Sequence, residues 1–170
     1  LAVAHSHPRV ASITPFSNNA TIFSFPDICR ENPVFLGLDP AEIDSVLSSI
    51  FTAEDIFRVP STVGCCMYLN RDCLKVIGLF DDEVFGRGYG EENDWCQRAL
   101  KAGWQNVHAA DCYVYHEGGV SFGAEQTARV ASAQKILDTR YPDYHSNVQE
   151  YIRRDPARNH RMRAVLNLIS

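Results

Sequence analysis

Residue types able to do chemistry crowd into one stretch of this chain, Phe80 to Phe122, which reads FDDEVFGRGYGEENDWCQRALKAGWQNVHAADCYVYHEGGVSF. Glu91, Glu92 and Asp94 fall within one helical turn, and His116 follows a later apolar run. A carboxylate that reaches a hydroxyl at hydrogen-bond distance can act as a general base. Gly86, Gly88 and Gly90 allow the backbone to approach a ligand closely. Phe85 and Tyr89 stand beside the acids, and an aromatic ring stacks on the apolar face of a sugar while carboxylates accept its hydroxyl protons. A neutral imidazole near carboxylates is a reasonable Mn or Mg ligand. Plainer readings stand beside these. Acids are favoured in any first helical turn by the helix dipole, Asp94 and Arg98 are spaced to pair along one face, and a histidine at a strand end can simply bond a backbone carbonyl.

The elements that must carry these residues alternate. Leu1 to His7 reads as a helix end stopped by Pro8, and Arg9 to Thr14 as a strand closed by Pro15. Ser17-Asn18-Asn19 reads as a turn, in which Asn18 and Asn19 are also candidates to face a donor. Asp27 to Leu38 reads as loop. Asp39-Pro40 opens a helix with Ile43, Val46, Leu47 and Ile50 on one face. A linker ends at Pro60. Val63 to Leu69 is a continuous apolar run, expected to be a strand buried on both faces. Asn70 caps a helix over Arg71 to Ile77 that Gly78 stops. Glu91 to Ala102 is a helix, Val107 to Tyr115 a strand, and Gly118-Gly119 a joint. From Ala124 the pattern is helical, broken at Tyr141-Pro142-Asp143 and Asp155-Pro156. This order gives an α/β layered fold with few strands.

Bulk properties narrow the function. The 170 residues suffice for one domain, and the net charge of −5 argues against nucleic acid, whose phosphates require a basic surface. Arg153, Arg154, Arg158, Arg161 and Arg163 form a basic tail, read either as a solvated face or as peripheral contact with an anionic membrane or acidic partner. No apolar stretch is long enough for a membrane span. The six cysteines contain no C-x-x-C pair, so they are read as reduced thiols of a cytoplasmic protein and not as a zinc site. Because residue 1 is Leu, the chain is read as part of a longer polypeptide.

The run GLFDDEVFGRGYGEENDWCQRALKAGW resembles the acceptor-side signature of the family 2, GT-A-type inverting glycosyltransferases, close to the rhamnosyltransferase members. VYHEGGVSFG resembles that family's closing segment, and HPRVASITPFSNNATIFSFP the stretch after its metal-binding Asp-x-Asp. The resemblance implies an α/β, partial GT-A sheet with flanking helices over residues 1–125 and a helical C-terminal tail, 126–170, packed on it. It implies Glu92 as the base that deprotonates the acceptor, with Asp94 as a rival because many relatives carry Asp at the position of Glu92. Glu91 would hold the acceptor sugar. Tyr89, Gly88, Gly90 and Trp95 are carried as substrate-side residues, although Trp95 and Trp104 also read as core. His116 would bind a divalent metal, Mn or Mg, shared with an Asp-x-Asp motif absent from this chain. The implied partners are a nucleotide-sugar donor, a saccharide or lipid-linked saccharide acceptor, and the N-terminal half of the same domain. The isolated chain is expected to show little catalysis. Two other readings stay open: a carbohydrate- or partner-binding module without catalysis, and a metal-dependent hydrolase.

Overall fold

The computed structural model describes residues 2–86, 89–117 and 126–170; Gly88 and the expected Gly118-Gly119 joint lie outside them. Among the described residues the elements are α1 (Ala2–Ser6), β1 (Val10–Ser17), α2 (Pro40–Ile50), β2 (Ile56–Val59), β3 (Tyr68–Leu69), α3 (Arg71–Ile77), α4 (Asp82–Phe85), α5 (Glu91–Lys101), β4 (Gln105–Val114), α6 (Gln126–Arg140), α7 (Tyr144–Arg154) and α8 (Arg158–Leu168). The four strands form one mixed sheet in the order β2-β4-β1-β3. The central pair β1 and β4 is parallel, and β2 and β3 flank it antiparallel. This is an α/β architecture.

All eight residues of β1 are buried, as a central strand covered on both faces requires. Ser12, Thr14, Asn106 and His108 are buried polar residues in the sheet. Val10, Ile13, Val107 and Ala109 form a separate apolar cluster with Val3 of α1. The largest cluster joins Phe16, Ile43, Leu47, Ala110 and Tyr113 to Ala157 and Ala164, so α8 packs against α2. Full burial of a side chain such as Ile43 or Leu47 contributes about 1.5–3 kcal/mol. Helix α2 starts as its sequence requires. The Asp39 carboxylate accepts from Ala41 N at 2.8 Å, and Glu42 Oε2 accepts from Asp39 N at 3.0 Å, forming a capping box.

Three expectations about the elements are corrected. β1 does not close at Pro15 but runs on to Ser17; a register shift between Pro15 and Phe16 falls at the proline, where a missing N–H costs no regular ladder bond. Val63 to Leu69 is not a doubly buried strand. Only Tyr68–Leu69 pairs, along an edge of β1, and Gly64 is exposed. The stretch before Pro60 is not all linker, because Ile56–Val59 pairs with β4 at the other edge. The helix breaks at Tyr141 to Asp143 and at Asp155-Pro156 fall where read.

Candidate functional site

The first turn of α5 depends on Gly90. Its φ is +94°, and a Cβ there would lie 2.8 Å from Ala133 Cβ and 2.9 Å from Phe85 Cδ1. Only glycine meets both conditions without strain. Tyr89 before it is half-buried and also has a positive φ, +93°. No side chain caps the helix, and Gly90 N instead donates to Glu92 Oε2 at 3.1 Å. Glu92 is partly buried. Burial raises its pKa above the ordinary carboxylate value and the neighbouring Glu91 adds to the rise, although backbone amides, including those of Gly90 and Asn93, oppose it. The result is a carboxylate more basic than an exposed glutamate. Glu91 Oε2 is buried and has no hydrogen-bond partner among the described residues.

Asp94 is in a different situation. It is wholly buried, and both oxygens are occupied: Oδ2 accepts from Arg98 Nε at 2.8 Å, and Oδ1 from Arg140 Nη1 at 2.8 Å and Tyr141 OH at 2.7 Å. Burial pushes its pKa up, but the bonds from Arg98, Tyr141 and Arg140 outweigh it and hold the carboxyl below its usual range. Such a group is a poor proton acceptor and has no exposed face for a substrate. Trp95, read both as substrate-side and as core, lies in the core. It is wholly buried, and its Nε1 donates to Gly78 O at 3.0 Å.

His116 lies two residues beyond the end of β4. Its N–H donates to Asn18 Oδ1 at 2.7 Å, and its carbonyl accepts from Asn18 Nδ2 at 3.1 Å. One asparagine side chain thus ties the segment after β1 to the segment after β4. His116 Nδ1 lies 2.7 Å from Asn19 O. A carbonyl only accepts, so Nδ1 carries a proton, and the tautomer this selects has its lone pair on Nε2. That orientation is the one a metal-ligating histidine uses. His116 lines a cavity of about 310 Å³ with Asn18, Glu31, Asn32, Tyr115 and Glu117 among its walls. Its donors fit a divalent cation in type, but no group of three His, Cys, Asp or Glu side chains among the described residues converges closely enough to hold one.

Glu92 does not line that cavity. The start of α5 nevertheless points toward the end of β4 that leads to His116. β1 and β4 end together, with Ser17 opposite Val114. α5 joins β4 through a short turn, and Asn106 Nδ2 donates to Cys96 O at 3.2 Å, so the helix runs antiparallel to the strand. An eleven-residue helix is about 16 Å long and a ten-residue strand about 33 Å, so Glu92 stands level with the middle of β4, short of His116. Glu31, Asn32, Tyr115 and Glu117 were not singled out from sequence. They come from separate segments with no shared spacing, and only the end of β4 lying beside the loop after β1 brings them together. Tyr141 was read only as part of a helix break, Arg140 and Tyr144 were not singled out, and none carries a local signal that it reaches α5.

Over 88 residues, 49% of this chain and 34% of the relative, the sequence is 32% identical to uncharacterized proteins of Mycobacterium bovis and Mycobacterium tuberculosis. Over 83 residues, 49% of this chain and 26% of the relative, it is 30% identical to the N-acetylglucosaminyl-diphospho-decaprenol L-rhamnosyltransferase of Mycobacterium tuberculosis. The relationship is distant and glycosyltransferase-like. The chain spans about a third or less of the length of these relatives. No family model and no solved structure matches it. Among the described residues, no helix is long and apolar enough to cross a membrane.

Proposed function

We propose that this chain is the acceptor-side part of an inverting, GT-A-type glycosyltransferase that moves a sugar from a nucleoside-diphosphate donor to a sugar or lipid-linked sugar hydroxyl. The observation that carries the reading is Glu92: a partly buried carboxylate of raised basicity, at a helix start no side chain caps, on the helix that packs against β4. The distant match to a rhamnosyltransferase supports it. Glu92 takes the proton of the acceptor hydroxyl as that oxygen bonds to the anomeric carbon, while the bond from that carbon to the donor phosphate breaks and the nucleoside diphosphate leaves. Glu91, with an unpartnered buried oxygen, holds an acceptor hydroxyl, and Tyr89 offers an aromatic face. His116 Nε2 would supply one ligand to a divalent cation whose other ligands lie outside the described residues, and such a cation would offset charge on the departing diphosphate. The protein works at the cytoplasmic face of a membrane, where α8 presents exposed Met162, Leu166 and Ile169 beside Arg158 and Arg163.

The test uses the full polypeptide that contains this chain. Thymidine diphosphate rhamnose and uridine diphosphate hexoses serve as donor probes, with an N-acetylglucosaminyl-diphospho-polyprenol as acceptor. Transfer should occur with inversion, and Glu92→Gln should lower kcat by at least ~100-fold in a folded protein. Unchanged turnover in Glu92→Gln refutes the base assignment. Release of free sugar regardless of acceptor supports hydrolysis, and binding without turnover supports a non-catalytic module.

A further inference from the structure

The helix start that carries Glu92 has no side-chain cap, yet the two residues after Glu92 are tied by side chains from elsewhere in the chain. Asn93 Oδ1 accepts from Tyr144 OH at 2.9 Å, and that hydroxyl is also 3.1 Å from Ser61 Oγ. Asp94 receives Arg140, Tyr141 and Arg98. Arg140 Nη1 also donates to Asp81 Oδ2 at 2.9 Å, so it joins the loop ahead of α5 to the helix itself. Arg98 continues the network to Ile77 O at 2.6 Å and Leu79 O at 2.8 Å. Three of these donors come from the joint between α6 and α7, far along the chain from α5. A wholly buried carboxylate with two guanidinium partners is weak evidence of stability, because desolvating the charges offsets most of their attraction. What such a network does supply is a unique orientation, since each donor fixes one direction.

We infer that Arg140, Tyr141 and Tyr144 are positioning residues: the α6–α7 joint clasps Asn93 and Asp94 and so fixes where the adjacent Glu92 points. Among the described residues none of the three hydrogen-bonds Glu92 itself. The inference rests on the proposed role of Glu92, and the tail thereby becomes part of the catalytic apparatus of the proposed transferase.

The test again uses the full polypeptide with the donor and acceptor probes above. Tyr141→Phe combined with Tyr144→Phe removes two hydroxyls and preserves both rings. The expected result is a kcat at least ~10-fold lower, KM for the donor within about twofold of the original, and a cooperative melting transition retained. The acidic limb of the kcat–pH profile should move to lower pH as Glu92 loosens into water and its carboxyl returns toward the ordinary value. Arg140→Met should behave in the same way, and Arg140→Lys should recover part of the loss. If the double variant does not melt cooperatively, Tyr144→Phe alone decides, because among the described residues its hydroxyl bonds Asn93 and Ser61 and not Asp94. Original kcat and an unmoved acidic limb in a folded variant overturn the inference. Glu92→Gln assayed alongside separates the two failures. If it is inactive while the clasp variants are normal, only the clasp fails. If it is fully active, the base assignment fails and the clasp with it.

Discussion

His108 gives the protein a calculable sensitivity to acid. The ring is wholly buried in β4, edge-on to Phe16 and Phe23 with centroids 4.2 and 5.0 Å away, and neither nitrogen has a hydrogen-bond partner among the described residues. Burial, reinforced by the nearby positive charge of Arg161 and His160, pushes its pKa down to about 3 from an ordinary 6.5. The unfolded chain therefore takes up a proton as pH falls below about 6.5, and the folded chain does not until about pH 3. Stability is lost across that window as pH falls, by about 1.4 kcal/mol per pH unit once well below 6.5. Between pH 7 and pH 5 the loss is about 2 kcal/mol, worth about 4–8 °C in Tm for a chain of this size. This window lies above the range in which the depressed carboxyls of Asp55 and Asp94 are protonated. The assay is thermal or urea unfolding at pH 7, 6 and 5 for the original protein and for His108→Phe. The variant should lose about 2 kcal/mol less over that interval, whatever its stability at pH 7. Parallel curves for the two proteins refute the reasoning.

Other outcomes are expected from the same structure. Asn18→Ala removes both bonds that tie His116 to the end of β1 and leaves the His116 N–H without its acceptor. It should cost about 1–3 kcal/mol in urea unfolding at unchanged m-value. Gly90→Ala forces a Cβ against Phe85 and Ala133 at a positive φ. A loss of about 2–4 kcal/mol is expected, checked by Tm, and retention of the original Tm would contradict the backbone geometry described for the α5 start. Asp39→Ala breaks the α2 capping box and should lower stability by about 1 kcal/mol with activity untouched. For the membrane contact of α8, sedimentation with vesicles containing anionic lipid should fall several-fold on Arg158→Glu with Arg163→Glu and in high salt; salt-independent or unchanged binding would count against it.

Much of the local structure was legible in the sequence because its causes are local. Asp39-Pro40 with Glu42 begins a helix through hydrogen bonds within four residues, Gly78 ends one through its own φ of +82°, and the two breaks in the tail coincide with prolines. The pairing of Asp94 with Arg98 also follows from helical spacing alone. What failed had non-local causes. Val63 to Met67 has the composition of a buried strand but lacks a partner strand along its length, and Ile56–Val59 becomes a strand only because β4 lies beside it. Pro15 continues β1 because the register shifts there, which no property of the proline itself announces.

The candidate site divides in the same way. Sequence alone determined which residues have the chemistry: the acids opening α5 and the imidazole after β4, with glycine between Tyr89 and Glu91. Tertiary structure decided which acid is available. Asp94 and Glu92 are two residues apart on one helix, yet Arg98 together with Arg140 and Tyr141, brought back from the far end of α6, saturates the first and holds its carboxyl low, while burial, with no ion pair among the described residues, raises the second. A carboxylate's proton affinity is set by the charges and solvent around it in space. Chain order does not specify those surroundings until the helices of the tail have packed against α5.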